Sequence, residues 1–330
     1  MSKITMDVIA AELGISKNTV SRALRGLSGV SDDVRKKIIA QAEGSGYIVK
    51  VKPANMQHIV MVHRKSLMED VFFWPSVLSG IMNFAADQGV NIRVITTDYI
   101  KENGSLSTLI RSQKCDGLLV VNDIDDNSIK QLSEMKLPMA VVDYHSDVAD
   151  CDYVISANKN GIYKAVTHLI ENNHKKIGFI GNVDWQYSFQ ARYEAFCYYM
   201  DKFDLPVDDN YIWLDSKYND LTYLRDKIKK FMPAGDAATA WICINDVVAV
   251  DFSRALKEEG YSVPDDASII GFDNSIYPGA QTLTTLEVQV KSLGQRAIEQ
   301  LMLRIETPEK PYETVSINTK LIIRNSVKRL

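Results

Sequence analysis

From Ile59 onward, short and nearly continuous apolar runs alternate with stretches of helical period, and this alternation restricts the fold more than any other feature of the chain. The runs are Ile59–His63, Ile92–Thr96, Gly117–Val121, Met139–Asp143, Ile177–Ile180, Ala240–Ile244 and Ser268–Phe272. Strands apolar on both sides need cover on both sides, as in a parallel sheet. Helical patterns such as Pro75–Gln88, Asn158–Asn172 and Val247–Glu259 supply it. Strand-helix-strand connections of this kind cross over right-handed, so a doubly wound parallel sheet is expected. The stretch is too long for one ordinary sheet, which predicts two.

The first fifty residues read differently, as three short helices. Met6, Ile9, Ala10 and Leu13 share one helical face, with Thr5 as N-cap, and Gly14 breaks the helix. Ser16 caps a second helix with Val20, Ala23 and Leu24 inside. Ser31 caps a third, with Val34, Ile38 and Ala42 inside. The second helix keeps a polar outer face of Lys17, Asn18, Ser21 and Arg22. A recognition helix presents such N-terminal residues to base edges in the major groove. Asn and Arg can pair bidentately with adenine and guanine, while Ser16, Thr19 and Ser21 can hold phosphates. An ordinary helical hairpin with a solvated face would show the same apolar pattern.

Charge divides the chain in the same place. Residues 1–52 hold nine Lys or Arg against five Asp or Glu, and the remainder holds 29 against 37. A basic head on an acidic body suits a polyanionic partner. The four cysteines, Cys115, Cys151, Cys197 and Cys243, are scattered without metal or disulfide spacing, so neither a metal nor a cofactor is expected. There is no signal-peptide pattern and no apolar run long enough to span a bilayer, which predicts a cytoplasmic protein. Phosphate-loop, zinc-protease and dinucleotide motifs are absent, and the histidines are scattered, so no enzyme is expected.

The segment Ile4–Leu24, followed by Val30-Ser31, Val34-Arg35 and Gly46-Tyr47, resembles the DNA-binding head of the lactose repressor (LacI/GalR) family. Likeness to that family continues through Leu137–Asp143, Asn158, Gly161, His168–Ile170, His174, Ile177–Gly181, Arg192, Phe196, Asn245-Asp246, Gly271–Asp273, Leu283–Thr285 and Leu321–Ser326. The resemblance implies a small all-α helix-turn-helix head and an α/β core of two doubly wound parallel-sheet lobes, periplasmic-binding-protein-like. It implies a homodimer on a palindromic operator, controlled by a small sugar-like effector between the lobes. The implied division is a head at 1–48 and a linker at 49–57. One lobe would comprise 58–156 and 288–314, the other 157–287 and 315–330, with crossings near 156, 287 and 315. Effector contacts carried over by the resemblance are Phe73, Asp143, Arg192, Asn245 and Asp273, with Tyr218 as a second aromatic wall. Asp143 and Asp273 could instead cap turns after strands. No heptad-bearing tail follows Leu330, which favours a dimer over a tetramer.

Three departures from the family pattern shape the expectations. His63 and Arg64 follow the opening core strand where small polar residues are common. With Arg192 they would gather positive charge, so an acidic or phosphorylated sugar is expected. Val288 and Val290 stand where a polar residue and an aromatic are common. The linker is short, lacks the family's leucine-bearing hinge helix and contains Pro53. Lys50 and Lys52 there suit phosphates, and little operator bending is expected. The rival readings are a regulator controlled by a protein partner and a carbohydrate-binding protein with a vestigial head.

Overall fold

A computed structural model describes residues 5–24, 30–45, 57–97, 106–122, 124–216, 220–233 and 237–330. The chain divides into two compact units, Met1–Gln57 and His58–Leu330. The expectations placed on Lys50, Lys52, the linker wedge and Tyr218 fall outside the described residues.

The first unit is a three-helix cluster: α1 (Met6–Leu13), α2 (Lys17–Leu24) and α3 (Asp32–Gly44). Ile9, Ala10, Val20, Ala23, Ile38 and Ala42 are buried together, with Met6, Leu13, Leu24 and Val34 packed around them. Gly14 turns the chain between α1 and α2 at φ +64°, and its N–H caps Ala10 and Ala11. The Arg35 guanidinium donates to the Ala23 carbonyl at 3.0 Å, tying α3 to the end of α2.

The second unit holds two six-stranded sheets. In the first, β1 (His58–His63), β2 (Asn91–Thr96), β3 (Gly117–Val121), β4 (Met139–Val142), β5 (Asp152–Ser156) and β11 (Thr314–Ile317) lie in the order β2-β1-β3-β4-β5-β11, all parallel. In the second, β6 (Ile177–Ile180), β7 (Ile212–Trp213), β8 (Ala240–Cys243), β9 (Ser268–Asp273), β10 (Thr284–Glu287) and β12 (Lys320–Ile322) lie in the order β7-β6-β8-β9-β10-β12. Helices α4 (Trp74–Asp87), α5 (Leu106–Ser112), α6 (Asp126–Ser133) and α11 (Val290–Glu306) belong to the first lobe. The second lobe has α7 (Asn158–Glu171), α8 (Tyr187–Lys202), α9 (Leu221–Phe231) and α10 (Asp246–Glu258). The central apolar strands are thus buried on both faces, as their composition requires, whereas β2 at the edge leaves Arg93 and Val94 exposed.

Two details differ from expectation. The third crossing, expected near 315, comes later, because β11 stays in register with β5 until Ile317 meets Ser156. Val315 and Ile317 alternate onto the first-lobe core, and that alternation holds the strand there. The second sheet is also not wholly parallel, since β12 pairs antiparallel with β10. The chain returns from the first lobe at the crossing end, where Lys320 sits opposite Glu287, and must run the other way.

Candidate functional site

Both sheets repeat the strand order whose switch points and carboxyl-terminal strand ends form ligand crevices in open α/β folds. Four of the residues singled out in the sequence stand at or near these ends. Asp143 follows β4, Asp273 ends β9, Asn245 follows β8, and Arg192 reaches in from α8.

Arg192 is 2% exposed and organises the site. Its Nε donates to Asn158 Oδ1 at 3.0 Å, one Nη to the Ile244 carbonyl at 2.6 Å and the other to Asp273 Oδ1 at 3.1 Å. Its guanidinium lies 3.7 Å from the Phe272 ring centroid, a cation–π contact. Asn158 Nδ2 donates to Ser188 Oγ at 3.2 Å, and the Ser188 hydroxyl donates to Asp143 at 2.8 Å. This last bond crosses from the second lobe to the first. Asp143 and Asp273 hold φ values of +53° and +105°, uncommon for residues with a side chain and frequent at functional sites.

Capping is the alternative for Asp143 and Asp273, but the residue that caps a helix is another of the four. Asn245 is the N-cap of α10, and its side chain accepts from the Val248 N–H at 3.1 Å. Phe73, at the N-cap of α4, packs against the cores of both lobes. Beside it, Phe72 meets Tyr277 edge-on at 4.9 Å, a second contact across the lobes. His63 is buried and donates from Nδ1 to the Arg64 carbonyl at 2.7 Å, while Arg64 is half-buried at the head of a 3₁₀ turn.

The titratable groups that interact with Arg192 are acidic. Burial raises the Asp273 pKa well above the carboxylate range; Arg192 opposes the rise, and Asp246, Asp70 and Asp143 add to it. Asp143 is raised by burial too, with Arg192, Ser188 and Ser156 opposing. Arg192 therefore interacts with three acidic groups, Asp143, Asp246 and Asp273, each of which burial drives toward its neutral form.

Sequence reasoning did not place Ser188, Asn158, Asp246 or Asp70 in the site. Asp246 accepts from the Thr285 hydroxyl at 2.6 Å and the Ser275 N–H at 2.7 Å. Gly271 makes this possible, since a Cβ there would come within 2.1 Å of Asp246 Oδ1. Burial pushes Asp246 up to about 6, against the pull of those bonds and of Arg324 and Arg192. The folded state then holds a proton that the unfolded chain has released. Stability from this group is present below about pH 4 and falls by ~3 kcal/mol as pH rises to about 6. Urea unfolding across that range should show a shallower fall for Asp246→Asn than for the natural chain; parallel curves would contradict it.

In the head, Ser16 accepts from the Thr19 N–H at 3.0 Å and so caps α2, and it shares a 2.8 Å hydrogen bond with the Thr19 hydroxyl. Lys17 and Asn18 are exposed in the first turn of α2, and Ser21 and Arg22 are half-buried one turn on. Thr5 occupies the N-cap position of α1 with no side-chain capping bond. The polar face read from the sequence is thus presented by one short helix.

Comparison with known proteins bears on both units. Residues 5–49 match the model of bacterial regulatory proteins of the lacI family, and residues 166–327 match a periplasmic binding protein-like domain. The HTH-type transcriptional repressor PurR of Mannheimia succiniciproducens is 27% identical over 337 residues, which is 99% of either chain. The structure of the lac repressor dimer bound to operator and the anti-inducer ONPF superposes with a TM-score of 0.73 at 19% identity, covering 99% of this chain and 100% of that one. A LacI family regulator from Enterococcus faecium with bound ribose does so with 0.66 at 25% identity, covering 82% and 99%. Two domain matches in this order, in relatives that align from end to end, place the chain in the lacI family of bacterial regulatory proteins.

Proposed function

We propose that the chain is a homodimeric repressor of carbohydrate-related genes whose operator binding is set by a neutral sugar held between the lobes. The observation that carries this reading is the buried Arg192 cluster, which joins strand ends of one lobe to Asp143 of the other. A carboxyl that burial drives toward its neutral form can both donate to and accept from hydroxyl groups, so Asp143 and Asp273 suit a neutral polyol. Arg192 spends three of its five N–H donors on Asn158, Ile244 and Asp273, leaving two to fork vicinal hydroxyls. Phe73 supplies an apolar face. The bound ribose of the Enterococcus faecium relative supports the ligand class, and the operator-bound lac repressor dimer supports the assembly. No described helix is long and apolar enough to cross a membrane, which agrees with a cytoplasmic site of action. The repressor names of the relatives favour a regulator over an enzyme.

The head reads DNA through α2 in this account. Selection from random duplexes should return a palindromic site. On it, Arg22→Ala is expected to cost ~1–3 kcal/mol, with a smaller loss on a scrambled duplex. Ser21→Ala should weaken both evenly, because a phosphate contact carries no sequence information. Equal losses for Arg22→Ala on the two duplexes would remove it from base reading.

A further inference from the structure

A groove of about 600 Å³ lies beside the crossing segments, and none of Asp143, Arg192, Asn245 or Asp273 lines it. Its floor is the end of β5 and the segment around Ser316, and its walls are the start of α7 and one face of α8. The volume falls within the ~300–1,000 Å³ usual for small-molecule sites.

The lining chemistry is specific. Tyr163 and Tyr198 are 41% and 47% exposed, a large aromatic surface to leave in water. Lys159 Nζ stands 3.9 Å from the Tyr198 ring centroid and fixes that ring. Asn160 Oδ1 is buried with no hydrogen-bond partner among the described residues, a costly state for an amide. One cation, Lys159, is balanced by one carboxylate, Glu194, so the groove gives no preference to an anion. Aromatic faces edged by amide, hydroxyl and carboxylate groups match a sugar ring, whose C–H face stacks while its hydroxyls find polar partners.

We propose that this groove is a second carbohydrate site, separate from the cleft. Asn158 joins the two, because it lines the groove and its side chain bonds both Arg192 and Ser188. A sugar in the groove presses on the residue that orients the Arg192 cluster and contacts the segments between the lobes. Occupancy of either site then alters affinity at the other by the same factor. Binding in the groove stands independently of the cleft reading; only the coupling rests on it.

Calorimetry on the full chain with glucose, ribose and cellobiose tests this. The variant Asp273→Asn weakens the cleft and keeps an acceptor for Arg192. In that background at least one of the three sugars is expected still to bind, and adding Tyr198→Ala or Glu194→Gln should weaken it by about tenfold or more. Both added changes lie on exposed or half-exposed side chains, and unchanged operator binding shows that the fold is intact. If none of the three binds Asp273→Asn, or if the remaining binding ignores both groove changes, the proposal is overturned. Loss of sugar binding in Asp273→Asn with retention in Tyr198→Ala identifies the cleft as the only site.

Discussion

Arg192→Ala is expected to lower the unfolding free energy by about 3–5 kcal/mol and to abolish the response to effector. The two effects share one cause. Removing the guanidinium leaves Asp273 buried without its ion-pair partner, and it leaves Asn158 and the Ile244 carbonyl without a donor. It also removes the cation packed on Phe272. Arg192→Lys keeps the charge but cannot serve three acceptors at once, so it should recover part of the stability and little of the response. Urea unfolding and operator binding with and without sugar separate these losses. A full-length, stable Arg192→Ala protein with normal sugar response would show that the cluster only packs the lobe.

Asp152→Ala should be comparably severe, at about 3–5 kcal/mol, although it is remote from the cleft. Asp152 is fully buried at the start of β5. It accepts from Arg304 Nε at 2.7 Å and Nη at 3.2 Å, from Gln300 at 3.0 Å and from the Glu313 N–H at 3.0 Å. Through these bonds it ties α11 and the entry to β11 onto the edge of the first sheet. Arg304 also donates to the carbonyls of Pro308, Lys310 and Pro311, so losing Asp152 loosens the whole segment before the third crossing. The double change Asp152→Ala with Arg304→Met should recover part of the loss, since it removes the uncompensated charge. A double variant no more stable than Asp152→Ala would contradict that reading.

The doubly wound core was legible in the sequence because its central strands are apolar throughout and separated by amphipathic helices. The strands that escaped notice have a physical reason for doing so. Asp152 and Ser156 close β5 with buried polar groups, β7 is two residues long, and β11 alternates exposed Thr314 and Ser316 with Val315 and Ile317. None of these makes an apolar run. The three-helix head followed from glycine positions and helical spacing alone. Asp143, Arg192, Asn245 and Asp273 were singled out by the family resemblance rather than by spacing, and the structure brings them to one end of the sheets. What spacing could not show was the buried relay of Ser188 and Asn158, because a serine or asparagine that crosses between lobes looks like any surface residue. Asn158 and Asp246 did carry a weak signal, since each opens a helix soon after a strand. Asp70 and Asp246 come to the site from positions that carry no motif, so the sequence did not show the acidic groups around Arg192 and Asp273.

A neutral sugar in the inter-lobe cleft is expected to set operator affinity. The most direct test is operator binding by anisotropy, with the natural chain and Asp273→Asn each titrated with ribose, glucose and cellobiose and with their uronate and phosphate counterparts. A neutral sugar is expected to shift the Kd of the natural chain by tenfold or more, about 1.4 kcal/mol, and Asp273→Asn should largely lose the shift while still binding DNA. A response confined to the anionic sugars, or an equal response in Asp273→Asn, would contradict it.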